Sequence, residues 1–399
     1  MASMKKLSSE QCQVIDVLAN RTPLTRGQLA AMTGWSRNTA ASRLEELRLE
    51  EWVTVSEEVS SGGRPATVYS LNANKALLFI AIFGYSHVTW GVLDLLGTVL
   101  ASEVEPFSLH RGPREAIETA QGAATRLLTS AGRPPTSLGA VVLGVPSPID
   151  TSTRRSINPS AMPGWVGFDI VGAFGQAFGL PVSVENDAKL MAVGSKLSYF
   201  PDAQNLVFIK VGTGIGAGII SGGVLQQGML GMAGEIGHLA VSSSNRQCDC
   251  GKTGCIVRYV SIGAVLKDLQ DSGTDVADLD ELLALAMSGN PECSRVLRQA
   301  GRRLGEIVAV LLAIVNPELV ILGGRITSLG NDLVAGMRET LYASAHPMLT
   351  SNLRTLVIKE HDQAALRGAA AVGFADFVRG SSRNAAPLEL TKAATGLVA

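Results

Sequence analysis

Gly234-Glu235-Ile236-Gly237-His238, followed ten residues past the histidine by Cys248-Asp249-Cys250-Gly251-Lys252-Thr253-Gly254-Cys255, organises everything else in this chain. Three soft thiolates and an imidazole complete a tetrahedral set with no position left open. The expected ion is therefore a structural Zn2+ held by His238, Cys248, Cys250 and Cys255. Gly251 and Gly254 let the backbone turn tightly enough for the thiolates to converge. The alternative is three reduced cysteines beside an unrelated histidine.

Composition fits a metal better than disulfides. The chain has 399 residues, enough for two or three domains, with 46% hydrophobic and 17% charged residues. Apolar runs such as 77–82 are too short for a membrane span, and no apolar leader opens the sequence. The cytoplasm is the expected compartment, and in that reducing setting five cysteines, an odd count, point away from disulfides. The formal net charge is −1, and residues 1–72 carry eight Lys/Arg against eight Asp/Glu. Charge alone gives no nucleic-acid footprint, so any such argument rests on local arrangement.

That arrangement is present in residues 1–72. Ser8 with Gln11, then Thr25 with Gln28, are capping-box pairs that start two helices. Thr33-Gly34-Trp35 makes a turn, and Ser36 caps a third helix running to about Leu49. Residues 52–55 and 67–71 read as paired strands around a loop ending Gly62-Gly63-Arg64-Pro65. This is the pattern of a winged helix-turn-helix, whose partner is a double-stranded DNA operator. On the third helix Arg37 suits guanine and Asn38 adenine, Ser36 and Thr39 suit phosphates, and Arg43 follows one turn later. Arg64 at the loop tip suits a minor groove. An ordinary hairpin beside a protein-binding three-helix unit is the bland alternative.

From about residue 75 apolar strands alternate with helices, as in an α/β fold. Strands are expected at 78–83, 88–93, 98–102, 138–145, 181–184, 206–211, 216–220 and 319–322, and helices at 114–128, 188–196 and 294–315. The set recurs loosely, as two halves around a cleft require. Residues 381–399 are small and polar, expected as a frayed tail.

Further motifs stand in a fixed order through residues 75–380: Gly91-Val92-Leu93-Asp94-Leu95-Leu96-Gly97, Asn158-Pro159 through Pro163-Gly164-Trp165, Glu185-Asn186-Asp187-Ala188 and Gly212-Thr213-Gly214-Ile215-Gly216-Ala217-Gly218, ahead of the two opening pieces. In that order they resemble the ROK family, which groups bacterial sugar kinases with repressors of sugar genes. With the winged helix in front, the chain is similar to the repressor branch. The resemblance implies an actin-like, ribonuclease H-like fold of two lobes closing on a sugar, and the same four zinc ligands. It places Asn186, Asp187, Glu235 and His238 at sugar-contacting positions, with Asp187 matching the kinases' general base. From the residues alone, Asn186-Asp187 reads equally well as a helix cap, and Glu235 and His238 as a loop carboxylate and a zinc ligand.

Two departures shape the expectation. Two places after the last cysteine the family commonly has a sugar-gripping Glu; here that place is Val257. Registering on Gly91, Asp94 and Gly97 puts Ile82 where the kinases have a metal-orienting Asp, followed by Phe83, Gly84, Tyr85, Ser86 and His87. The expectation is a homodimeric or homotetrameric DNA-binding regulator controlled by a sugar or sugar derivative, without kinase activity. The rival is an active ROK kinase carrying a DNA-binding head.

Overall fold

The computed structural model describes residues 7–380 except 21–22, 59–65, 158–161, 163, 166 and 242–243. Arg64, Asn158, Pro159, Pro163 and the expected tail lie outside the described residues.

The first unit runs α1 (Ser9–Asn20), β1 (Leu24–Thr25), α2 (Arg26–Thr33), α3 (Arg37–Leu49), β2 (Val53–Glu58) and β3 (Ala66–Leu71). The helices begin where their caps predict. Gln11 N donates to Ser8 Oγ over 3.1 Å, and Ser8 N donates back to Gln11 Oε1 over 2.9 Å. Thr25 and Gln28 form the same reciprocal pair, and Ser36 Oγ accepts from Thr39 N over 3.1 Å. β2 and β3 pair antiparallel, and β1, two residues long and missed in the sequence reading, adds to β3. The result is three helices plus a two-stranded wing.

Next come β4 (Leu77–Phe83), β5 (His87–Asp94), β6 (Val99–Pro106), α4 (Pro113–Ser130), β7 (Leu138–Val145), α5 (Ile170–Phe178), β8 (Val182–Asn186) and α6 (Asp187–Tyr199). Their sheet has the order β6-β5-β4-β7-β8, with β4 to β6 antiparallel and β7 and β8 parallel to β4. A second set follows: β9 (Leu206–Val211), β10 (Ile215–Ser221), β11 (Val224–Leu225), α7 (Val257–Val260), α8 (Ile262–Asp271), α9 (Leu279–Met287), α10 (Pro291–Val315), β12 (Leu319–Gly323), α11 (Asp332–Ser344), α12 (Pro347–Thr350) and β13 (Arg354–Val357). Its order, β11-β10-β9-β12-β13, repeats the first sheet strand for strand and direction for direction. Two such sheets make the actin-like, ribonuclease H-like architecture. The loose recurrence seen in the sequence is thus a full topological repeat.

The layers follow from alternation along the strands. In β4, Leu77, Phe79, Ala81 and Phe83 join the core under α4 and α5, whereas Leu78, Ile80 and Ile82 face α6 and α13 (His361–Arg379). α6 and α13 pack between the two sheets, and α7 to α11 cover the outer face of the second. Where α6 crosses α13 the backbones touch. A Cβ at Gly368 would lie 1.9 Å from Leu190 O, and one at Gly194 would lie 1.7 Å from Ala364 O.

The same α13 carries the first unit. Phe377 packs on Trp52 with ring centroids 5.9 Å apart, Cys12 Sγ donates to Val378 O over 3.5 Å, and Arg379 pairs with Asp16 at 3.6 Å. The buried cluster runs without a break from Val14, Ile15 and Leu18 to Leu78, Ile80 and Leu366. The head is therefore built onto lobe 1 and shares its core.

Candidate functional site: a polar cavity beside a cysteine-histidine cluster

The parallel strand β8 ends at Asn186, and α6 begins at once with Asp187, so both side chains sit at the interlobe cleft. Asn186, not Asp187, is the cap: its Oδ1 accepts from Ala188 N at 3.0 Å and Lys189 N at 3.2 Å. Asp187, 3% exposed, is therefore not the cap. Asn186, Asp187, Glu235 and His238 all line one cavity of about 630 Å³, so the expected sugar positions come together. This volume lies in the range of small-ligand pockets. Val257 borders it too, presenting an isopropyl group.

In and around the cavity, charge is arranged by residues the sequence reading did not single out. Lys210 on β9 forms an ion pair with Asp187. Lys189, 2% exposed, donates to Gln227 Oε1 at 2.5 Å and Gly231 O at 2.7 Å, and Gln227 donates to Glu185 Oε2 at 2.6 Å. Burial, then repulsion from Asp187, pushes Glu235 up to about 7, with Lys189 opposing. Burial, with Asp187 and Glu235 adding to it, pushes Tyr85 up to about 12, so its hydroxyl stays a donor. The signal for Lys210 was in the sequence: one cation inside the otherwise apolar strand Leu206–Val211.

Above the cavity, one ligand atom from each of His238, Cys248, Cys250 and Cys255 lies within 4.8 Å of the others. Cys250 Sγ to Cys255 Sγ is 3.6 Å, and His238 Nδ1 to Cys248 Sγ is 3.6 Å. Such separations exclude a disulfide of about 2.05 Å. They match the edges, roughly 3.6–3.8 Å, of a tetrahedron with zinc-length arms. Gly251 and Gly254 have φ of +87° and +88°, the left-handed turns expected of them. Burial and neighbouring thiols push Cys255 up to about 12, and a bound cation would favour its thiolate. The cluster is fit to bind a metal ion. His238 belongs to both places, with Nδ1 among the thiols and the ring on the cavity wall. The loop is braced by Tyr259, whose hydroxyl accepts from Asn245 N and Arg246 N at 2.8 Å each and whose ring lies 4.6 Å from the Arg246 guanidinium.

Beyond Lys210 the cleft narrows to a cavity of about 30 Å³, room for a water or two rather than a phosphate chain. Ile82, 4% exposed, Tyr85 and His87 line it from lobe 1, and Gly212 and Thr213 from lobe 2. Burial holds His87 below the ordinary histidine value. It opens toward a wider cleft of about 550 Å³ bordered by Leu279, Leu283, Arg325 and His361.

On the head, Ser36, Arg37 and Asn38 are exposed at the start of α3 with Thr39 half-buried beside them. Arg43, expected among the same residues, is instead held between Glu46 on its own helix and Glu10 on α1. Glu45 pairs with Arg48. Three of the acids that balanced the head's charge are therefore spent internally.

Among known proteins, the family model described as "ROK family" matches residues 82–374. The putative xylose repressor of Caldicellulosiruptor sp. (strain Rt8B.4) is 24% identical over 379 residues, covering 91% of this chain and 94% of that protein. A crystal structure of a ROK family transcriptional regulator, homolog of the E. coli Mlc protein, superposes with a TM-score of 0.76 at 22% identity, covering 93% of this chain and 97% of that one. A ROK family glucokinase from Streptomyces griseus, in complex with glucose and AMPPNP, superposes at 0.66 with 23% identity, covering 99% of itself but 75% of this chain. With most of the two lobes, and all of the cavity and the cysteine-histidine cluster, inside the matched span, this chain belongs to the ROK family.

Proposed function

We propose that this chain is a cytoplasmic, sequence-specific DNA-binding regulator, a repressor of carbohydrate genes whose operator affinity is set by a sugar or sugar derivative in the 630 Å³ cavity. The observation that carries the reading is α13. Its first residues, His361 and Asp362, border the interlobe cleft, and its last, Phe377, Val378 and Arg379, hold the head. One helix about 28 Å long thus joins the place where lobes close to the place where DNA is bound. A ligand that prefers one lobe arrangement changes how two heads are presented to a palindromic site. The chain acts as a homodimer or homotetramer, with a structural Zn2+ on His238, Cys248, Cys250 and Cys255.

Arg37 and Asn38 read base edges, Ser36 and Thr39 contact phosphates, and Arg64 enters the minor groove. Arg43 braces α3 on α1 and contacts DNA only if that brace opens. Kinase activity is absent: Ile82 cannot hold a metal shell, and the narrowed cleft cannot cradle a triphosphate. Footprinting on the chain's own promoter DNA tests the reading. Arg37→Ala is expected to weaken binding about tenfold or more, from ~1–3 kcal/mol per bidentate base contact. Unchanged binding, or sugar-dependent ATP turnover abolished by Asp187→Asn, overturns it.

A further inference from the structure

We propose that Lys210 makes the cavity selective for an anionic sugar derivative, whose carboxylate or phosphate it receives. The inference rests on the effector reading above and names the chemical class of that effector.

Lys210 is the one charged residue of β9, whose other residues are all buried. Its neighbours across the sheet are Gly216 on β10 and Gly323 on β12, so no side chain covers its stem from either strand. It lines both the large cavity and the narrow one beside it. Its side chain is 17% exposed and that of Asp187 is 4% exposed. A buried ammonium is costly unless paired, and Asp187 supplies that pairing. One carboxylate contact nevertheless occupies one of three ammonium donors. Next to it, the backbone N–H groups of Thr213 and Gly214 have no protein partner among the described residues. A cation with spare donors beside two free N–H groups is an anion-receiving corner.

The acceptors in the cavity argue the same way. A neutral sugar is gripped by carboxylates that take protons from its hydroxyls. Asp187 is committed to Lys210, and Val257 offers no oxygen. Glu235, pushed up to about 7 by burial and Asp187, carries its proton part of the time at neutral pH and then donates. A neutral ring finds few ionised acceptors here. An acidic group instead gains charge-assisted bonds from Lys210, of roughly twice the strength of neutral ones.

The test is calorimetric titration of the full chain with matched sets of aldohexoses and aldopentoses. Each set holds the neutral sugar, its uronic or aldonic acid, and its terminal phosphate, with inorganic phosphate alongside. The expected result is at least one acid or phosphate binding tenfold or more tightly than its neutral parent, the two arms telling carboxylate from phosphate. Lys210→Met is expected to abolish that preference, and Lys210→Arg, which keeps the cation, to retain it. The retained arginine result and the wild-type ratio stand even if the methionine variant folds poorly. A neutral sugar that binds as tightly as its acids and shifts promoter affinity overturns this inference and leaves the effector reading intact. Inorganic phosphate matching the sugar acids overturns it as well. Silence from every compound, with promoter binding unresponsive, overturns both.

Discussion

The turn between β4 and β5 and the turn between β9 and β10 occupy the same place in two lobes of identical topology, and they border the same narrow cavity. In lobe 2 the turn is Gly212-Thr213-Gly214, open enough to leave two backbone N–H groups unpartnered among the described residues. In lobe 1 it is Gly84-Tyr85-Ser86 after Ile82, and the Tyr85 ring lies 3.6 Å from where a Cβ on Gly214 would stand. One turn leaves backbone donors open, and the other puts an aromatic ring against it. The sheet order survives because it depends on buried strand faces, which the turn residues never touch. The two turns differ in chemistry on one shared fold.

The largest expected effect tests whether lobe 2 depends on a metal at its cysteine-histidine cluster while lobe 1 does not. Cys255→Ser, or exhaustive chelation, is expected to remove metal-linked stabilisation on the order of 10 kcal/mol from the loop. Hydrogen exchange should then lose protection across residues 234–260 and keep it in β4 to β8. Equal loss in both lobes would break the contrast. Gly368→Ala, at the crossing shared by the lobes, is expected to lower stability by about 3 kcal/mol, because Leu190 O stands 1.9 Å from the new methyl. Here a single melting transition should shift as a whole, and a split transition would show that the lobes unfold separately.

Ile82→Asp puts a carboxylate near the end of β4, beside the lobe 1 turn. It is expected to destabilise the chain by about 2–4 kcal/mol, since it buries an unpaired polar group. It should produce no sugar-dependent ATP turnover, because Tyr85 and His87 still fill the space. Turnover in that variant would reduce the difference between the turns to one residue. The smallest effect concerns Glu235. Its value of about 7 lies above the ordinary 4.5, so the folded chain holds the proton more firmly than the unfolded one. That contribution to stability is complete below about pH 4.5 and is lost as pH rises through 7. Glu235→Gln should flatten the pH profile of the melting temperature over that window; an unchanged profile would place the titration elsewhere.

Much of this molecule is written locally. Capping pairs at Ser8, Thr25 and Ser36 fixed three helix starts, and the apolar run Leu138–Val145 is a strand to the residue. The cysteine-histidine cluster was legible because thiolates and imidazole at short spacing have few other uses. Helices α5, α7, α8, α9, α11, α12 and α13 passed unmarked, and α13 is the one that joins head and cleft. Its first turn reaches the cleft and its last reaches Trp52, and nothing local to 361–379 says so. That Glu10 on α1 would stand beside Arg43 was not legible along α3. Lys210 drew no notice in the sequence, and only the fold sets Asp187 beside it across the cleft. Spacing along the chain determines caps, strand faces and clustered ligands, because those depend on neighbours a few residues away. Which charges meet across 23 or 33 residues is decided only when the sheets and helices pack, since a buried charge takes whatever partner the fold delivers.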